Sequence, residues 1–411
     1  MDADVIVIGG GAAGFFAAIH CAEANPDLQV RILEKGNRVL TKVLVSGGGR
    51  CNVTHSCFDP RELVQRYPRG MRELLGPFHA WQPRDTIEWF ASRGVSIKTE
   101  EDGRMFPSTD RSETIADCLI NAAKQTGVRI QTDTVVSSIE RRGDHFVLRL
   151  GDHQHLTCSQ LMLATGGLKP GKIHDNLSSL GHTIQPLAPS LFTFHIKDQR
   201  LKDLPGLSVE NAFVQARGTK LNESGPVLIT HWGLSGPAIL KLSAWGAREL
   251  AEKQYRFDLE INWASNLSPE QSMDKFKELK QNSGRKKISG TPRFDLPRRL
   301  WERLVNAAAI SEQKTWGQID NPGLIRLAEQ ITASVFAVNG KSMNKEEFVT
   351  CGGVTLKEVN FKTMESRKVP GLHFGGEVLD IDAITGGFNF QAAWTTGRLA
   401  GLAMAQAVST G

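Results

Sequence analysis

Gly9, Gly11 and Gly14 are spaced G-x-G-x-x-G, and an acid, Glu34, follows the last of them by twenty residues. Glycines at that spacing suit an anionic dinucleotide. The first permits a tight turn, the second lets backbone approach a pyrophosphate, and the third lets the following helix pack closely. A carboxylate at that remove hydrogen-bonds ribose hydroxyls. A second cluster, Ser46-Gly47-Gly48-Gly49-Arg50-Cys51-Asn52, follows Lys35 and Lys42 and can present backbone donors to phosphate or to a ring edge. Further along stand Thr165-Gly166-Gly167, then Gly376-Glu377 with Asp380, then Gly386-Gly387 with Asn389 and Phe390.

This chemistry requires the first turn to join a buried strand to a helix. Asp4 to Ile8 is a β-branched run of the kind that fills a parallel strand, and it leads directly into the glycines. A helix is predicted from Ala12 to about Ala24, with Phe15, Phe16, Ile19 and Ala22 at helical spacing and Asn25-Pro26-Asp27 as its stop. A second strand, Gln29 to Leu33, then delivers Glu34. Together these predict an α/β, Rossmann-type unit in which Gly9, Gly11, Ala12, Ala13, Gly14 and Glu34 hold the ADP half of a cofactor, its phosphates facing a helix N-terminus. Thr41 to Asn52 reads as a glycine-rich loop, and Val135 is a further candidate contact.

Three later segments favour FAD over a nicotinamide dinucleotide as the expected cofactor. Leu161 to Ala164 is an apolar strand ending at Thr165-Gly166-Gly167, a pattern resembling the return strand of two-dinucleotide-fold flavoproteins. Gly371 to Phe374 is another strand, and Gly376, Glu377 and Asp380 resemble the flavoprotein segment that binds the ribityl chain. Thr385 to Gln391 opens a last helix reaching about Ala407. Its N-terminal amides and dipole suit the pyrimidine edge of an isoalloxazine, where reduction builds negative charge. A nicotinamide dehydrogenase has no need of that segment.

With these residues in view, the sequence resembles the bacterial YhiN and BaiN family, the aminoacetone-oxidase-like FAD-binding flavoproteins. The resemblance covers Val7 to Asn52, Gly103 to Pro107, Ala164 to Gly167, Thr230 to Ala238 and Gly352 to Gly401. It implies an FAD domain built from both chain ends, residues 1–189 and 347–411, with an inserted domain at 190–346 combining a small β-barrel and a helical piece. The pattern agrees, with short β-rich segments from about Ser190 to Thr219 and a helical stretch from Pro269 to Ile331. There Leu300, Trp301, Leu304 and Val305, and Leu324, Ile325, Leu327 and Ala328, recur at helical spacing. Phe348-Val349-Thr350 marks the return to the FAD domain.

Size and composition set the outer limits. A chain of 411 residues exceeds the range of about 100 to 200 typical of one domain, and 40% hydrophobic with 23% charged residues is ordinary for a globular protein. No apolar run nears the roughly 20 residues a membrane helix needs. The N-terminus enters a strand with no leader pattern, so the expected location is cytoplasmic. Six scattered cysteines offer neither a C-x-x-C pair nor zinc spacing, so no metal is expected. Cys51 and Cys57 raise the alternative of a disulfide reductase, but five residues separate them where those enzymes have four. We therefore read Cys51 as part of the flavin loop and Cys57 as a small buried residue.

His231, in Thr-His-Trp-Gly-Leu-Ser-Gly-Pro, is a candidate proton donor, set against a structural histidine. Arg104, in Gly-Arg-Met-Phe-Pro, is a candidate for orienting an anionic or carbonyl group, set against an ordinary surface arginine. Ser235 has no Ser-His-Asp context and reads as a helix cap. No second G-x-G-x-x-G follows a strand, so NAD(P)H, the expected electron donor, would bind transiently at the flavin face. Ser272 to Arg303 holds ten Lys or Arg against four acids. Lys275, Lys277, Lys280, Arg285, Lys286 and Lys287 there are either a solvated helical face or contacts to an RNA backbone.

The expected activity is an FAD-dependent oxidoreductase passing hydride from NAD(P)H through flavin to an electron-poor C=C or similar acceptor between the two domains. The resemblance implies links to bile-acid double-bond reduction, amine oxidation and reduction of a uridine in 23S ribosomal RNA. The alternatives kept open are that ribosomal RNA dihydrouridine synthase, a thiol-disulfide flavoreductase, and a non-enzymatic FAD-bound scaffold or redox sensor.

Overall fold

Val5-Ile6-Val7-Ile8 is apolar at every position because the strand it forms is covered on both faces. The computed structural model describes residues 1–151, 154–265, 267–342 and 349–409. The chain separates into two compact units, Met1–Pro189 with Lys345–Gly411, and Ser190–Asn344. The expected end of the insertion, at residue 346, and Phe348 lie outside the described residues, and the returning strand is Val349–Cys351.

In the first unit Val5–Ile8 is central to a seven-stranded sheet. It runs parallel to Val30–Leu33 on one side and Gln160–Leu163 on the other, with Val5 opposite both Val30 and Gln160. Arg129–Gln131 extends the sheet beyond Val30–Leu33, and Leu372–Phe374 extends it beyond Gln160–Leu163, both in parallel. The antiparallel strands Glu365–Ser366 and Val359–Asn360 complete that edge. A strand from residue 372 onward is thus an integral layer of the sheet begun at residue 5.

The first helix occupies Ala12–Ala24, as its spacing predicts, but Ala12 to Ala22 are buried all round rather than on one face. One cover is the last helix, Phe388–Ser409. A β-carbon at Gly397 would lie 2.5 Å from the carbonyl oxygen of Ala13, and one at Gly401 would lie 2.3 Å from that of Ala17. Glycine and alanine, four residues apart on both helices, let the two backbones approach this closely. A small sheet with Arg104–Pro107 at its centre, between Thr54–His55 and Ile97–Thr99, lies in the same unit.

The second unit is built on seven antiparallel strands in the order Ser334–Asn339, Arg256–Asn262, Ser208–Ala216, Asn222–Ile229, Gly233–Ser235, Thr193–His195, Lys341–Ser342. The two edge strands are consecutive in the chain and separated only by Gly340, whose φ is +147°. One bent segment therefore joins both edges and closes the sheet into the expected small barrel. Helices Pro269–Asn282, Arg298–Ala307 and Asn321–Thr332 supply the helical piece. Leu300, Trp301, Leu304, Val305, Leu324, Leu327 and Ala328 enter its core, whereas Ile325 is 48% exposed. No helix among the described residues is long and apolar enough to cross a membrane.

Candidate functional site

The three glycines of the first turn differ in what surrounds them. A β-carbon at Gly9, whose φ is +116°, would lie 2.3 Å from the carbonyl oxygen of Ala164, and one at Gly14 would lie 2.0 Å from that of Gly9. At Gly11 a β-carbon would meet nothing within 4 Å. Gly9 and Gly14 are closed by packing, and Gly11 faces open space where a pyrophosphate can approach the helix N-terminus at Ala12. Glu34 stands beside this opening: its Oε2 accepts the Gly10 N–H at 2.8 Å and its Oε1 accepts the Gly36 N–H at 2.8 Å. Two backbone donors fix the carboxylate at the end of the second strand, where a ribose can meet it. Ala12 and Ala13 are buried, Lys35 is exposed, and Val135 is exposed beyond the third parallel strand.

Residues 41–52 fold differently from the predicted loop. Thr41 begins a helical segment extending to Gly49, and the backbone leaves helical geometry at Ser46, Gly47 and Gly48. Gly47, Gly48 and Gly49 have φ of +58°, +68° and +82°, and Cys51 shares the left-handed region at +60°. The space beside Gly48 and Gly49 is open to 4 Å. Successive left-handed residues turn their N–H groups toward one side, which makes an anion-binding concavity. Arg50 donates to Glu100 at 2.6 Å, with its guanidinium 3.9 Å from the centre of the Phe106 ring. Asn52, with its amide turned to satisfy both ends, accepts the Gly387 N–H at 3.0 Å and donates to the Thr54 carbonyl at 3.0 Å. The loop at 46–52 is thereby tied to the turn that opens the last helix.

The third and fourth clusters also meet. Glu377 accepts the Thr350 N–H at 2.7 Å through Oε1, and its Oε2 takes the Lys42 ammonium at 2.7 Å. A β-carbon at Gly167 would lie 2.7 Å from Glu377 Oε1, whereas Gly166, at φ +71°, meets nothing closer than 4.0 Å. Asp380 accepts the Gly352 N–H at 3.1 Å. Gly386 and Gly387 have φ of +135° and +91° immediately before the last helix. Asn389 is engaged with the backbone of Ala383 at both ends of its amide, and Phe390 stacks on Trp394.

Three polar groups near these clusters are left without partners. The hydroxyls of Thr165 and Thr350 and the Nδ1 atom of His55 are buried without a hydrogen-bond partner. His55 Nε2 is 3.2 Å from the Asp102 carbonyl, and its ring stacks on Phe388 at 4.6 Å. Burial pulls its pKa down, favouring the neutral ring whose Nδ1 carries a free lone pair. Buried polar atoms are ordinarily satisfied, so these orphans fit a polar ligand laid along the open sides of Gly11, Gly48 and Gly166. The signal for His55 in the sequence was only its adjacency to the Asn52 cluster.

The remaining candidates sit elsewhere or are already engaged. Arg104 is paired with Asp102 at 2.6 Å and Glu100 at 3.3 Å. His231 is exposed on the turn before Gly233–Ser235 in the second unit. Ser235 ends that strand and accepts from the Thr193 hydroxyl at 2.9 Å, so it is not a cap; Gly236 precedes the helix instead. Cys51 and Cys57 are both buried free thiols. Burial pushes Cys51 up to about 12 and also raises Cys57, so neither is a ready thiolate. Lys275, Lys277, Arg285, Lys286 and Lys287 are exposed, while Lys280 donates to the Ile319 carbonyl at 2.6 Å.

Residues 3–403 match the family described as HI0933-like protein Rossmann domain. The ribosomal RNA dihydrouridine synthase of Escherichia coli is 30% identical, over 96% of this chain and 96% of the relative. The 3-dehydro-bile acid delta(4,6)-reductase of Clostridium scindens is 28% identical, over 97% and 98%. Among solved structures, the 3-ketosteroid-delta4-(5alpha)-dehydrogenase of Rhodococcus jostii has the same fold at a TM-score of 0.53 and 14% identity, over 98% of this chain and 96% of that one. A match along nearly the whole chain, on a turn, acid and closing helix that fit a flavin dinucleotide, places this protein in the HI0933-like family as an FAD-dependent oxidoreductase.

Proposed function

We propose that the protein is an NAD(P)H-dependent reductase that adds hydrogen across an electron-poor C=C conjugated to a carbonyl. The observation that carries this reading is the chemistry shared by the two relatives, each of which spans nearly the whole chain. A dihydrouridine synthase and a delta(4,6)-reductase are both named for the saturation of a carbon–carbon double bond. When bound, FAD supplies the hydride chemistry. The chain supplies binding and electrostatics: Gly11 and Glu34 hold the ADP half, and the left-handed run at Gly47–Gly49 presents backbone donors. The N-terminus of the helix starting at Phe388 supplies positive potential. The absence of a second G-x-G-x-x-G after a strand supports a donor that binds transiently.

Mixing the anaerobic holoenzyme with NADPH or NADH tests this reading. Bleaching of the flavin absorbance within seconds, followed by reoxidation by a cyclic enone faster than by oxygen, is the expected outcome. A flavin that stays oxidised with both donors rejects it.

A second reading, reduction of uridine in ribosomal RNA, is favoured by a specific observation. Arg285, Lys286 and Lys287 are exposed and carry no ion pair among the described residues, so they are available to phosphate. Incubating the enzyme and NADPH with unmodified ribosomal RNA, then measuring dihydrouridine by mass spectrometry, tests it. Unchanged RNA would reject this substrate.

A further inference from the structure

Asp382 is fully buried, and the largely buried guanidinium of Arg69 grips both of its oxygens, Nε on Oδ1 and Nη2 on Oδ2. The two residues also meet as an isolated antiparallel bridge. Arg69 lies in no cofactor motif. It stands in the connection between the short helices Pro60–Val64 and Leu75–Ala80, and its partner lies four residues before Gly386. Both belong to the first unit.

The same connection grips the segment leading into the last helix at several further points. Gly70, at φ +90°, is so close to Ile381 that a β-carbon would lie 2.7 Å from its Cγ1. The Ile384 N–H donates to the Arg66 carbonyl at 3.0 Å, and the Tyr67 hydroxyl donates to the Phe388 carbonyl at 2.6 Å. Residues 66–70 thus anchor both Ile384 and Phe388, and Thr385, Gly386 and Gly387 form an arch between those anchors. A β-carbon at Gly387 would lie 2.4 Å from the Thr54 carbonyl oxygen, so the arch is held against residues 52–55 as well.

A buried ion pair is a weak source of stability, because two ions leave water and apolar residues of similar volume often serve as well. What a bidentate Arg–carboxylate fork adds to apolar packing is direction. The arch needs direction, since Gly386 and Gly387, at φ +135° and +91°, give it wide conformational freedom when unbraced. It leads into the last helix, whose leading N–H groups have no partners within the helix. Such donors stabilise a developing charge best when they need not reorient as it forms.

We propose that the Arg69–Asp382 pair is a positioning device for the flavin. It locks the arch so that the helix N-terminus faces the pyrimidine edge. Reduction places negative charge at that edge, so a fixed array of donors favours the reduced flavin and raises the reduction potential. This rests on FAD binding alone and is independent of the donor and acceptor in the reductase reading above.

The double replacement Arg69→Met with Asp382→Leu tests the device. It removes both charges at similar volume and avoids the uncompensated buried charge that either single replacement leaves. The holoenzyme is reduced with xanthine and xanthine oxidase against a reference dye, and the Tm of the apoprotein is measured alongside. We expect a Tm within about 3 °C of the unaltered protein. Reduced flavin should lose about tenfold in binding relative to oxidised flavin, a fall in midpoint potential of about 30 mV. Arg69→Lys keeps the charge but loses the fork, so its potential should lie between the two. An unchanged potential in the double variant, whatever its Tm, overturns the proposal and leaves the pair a structural one. If the double variant does not fold, Arg69→Lys decides: a lowered potential supports the device, and one equal to that of the unaltered protein overturns it. An unaltered holoenzyme that no nicotinamide reduces rejects the reductase reading and leaves this measurement intact.

Discussion

A β-carbon placed on Gly14 would lie 2.0 Å from the carbonyl oxygen of Gly9, whereas one on Gly11, between them in the same turn, would touch nothing. The two positions should therefore fail in different ways. Gly14→Ala must push the helix off its strand, an overpacking cost of about 1–3 kcal/mol that should lower Tm by several degrees. Gly11→Ala should leave the apoprotein Tm within about 2 °C while weakening FAD by roughly tenfold or more, since its methyl group occupies the approach to the pyrophosphate. Thermal melts with and without added FAD, alongside flavin content after purification, separate the two.

Glu34 supplies a second check on the cofactor. Its oxygens already accept from Gly10 and Gly36, and each retains lone-pair capacity for a ribose hydroxyl. Glu34→Ala removes a charged acceptor worth about 1.5–3 kcal/mol, so FAD should be held roughly 10- to 100-fold more weakly. Flavin release on dilution, followed by fluorescence, measures this. Retention equal to the unaltered protein would move the ribose elsewhere.

The cysteines predict a negative result that is informative. Both Cys51 and Cys57 are buried with thiol pKa values pushed upward, so little thiolate is present at neutral pH. Cys57→Ser should leave NAD(P)H-linked turnover within about twofold, and the native protein should react slowly with a thiol reagent until unfolded. Loss of turnover in Cys57→Ser would restore the disulfide-reductase alternative.

Acid should loosen one particular clasp in the first unit. The buried ring of His182 lies 3.0 Å from Glu358 through Nδ1 and 3.0 Å from the Ser366 hydroxyl through Nε2, and Lys368 also reaches Glu358. Burial alone would push the Glu358 carboxyl up, but hydrogen bonds from Lys368, Thr183 and His182 together hold it down to about 2. A carboxyl whose folded pKa lies below its unfolded value contributes stability that is complete above about 4.5 and is lost as pH falls toward 2. Burial likewise lowers His182 below 6.5, so the unfolded chain takes that proton first and stability again declines on acidification. Tm should fall from about pH 6.5 downward, and Glu358→Gln should be less stable at neutral pH with a flatter acid limb. An identical acid profile in the variant would assign the decline to other groups.

How far these features were legible depends on how local they are. The first strand, its turn, the helix at Ala12–Ala24 and Glu34 span barely thirty residues, and each announces itself by spacing. The joining of Glu377 to Lys42 was not legible in that way, because 335 residues separate partners that only the completed sheet brings together. His55 and Thr350 are single polar residues without a repeating pattern, and only burial and orphaned atoms mark them. Ile325 shows the opposite limit: helical spacing placed it with Leu324, but its side of the helix turns to solvent. Residues 41–45 coil into a helix because glycine weakens helix only from Gly47 onward, whereas a glycine-rich reading spread the loop over the whole segment.

The parallel strand Leu372–Phe374 is a wall of the sheet that starts at Val5, and the closing helix covers the first one. During synthesis, therefore, the nucleotide-binding turn emerges early but stays half-built while the intervening barrel, whose residues are contiguous, can finish folding. A chain released before residue 372 therefore lacks both a wall of that sheet and the cover of its first helix, and is expected to be colourless.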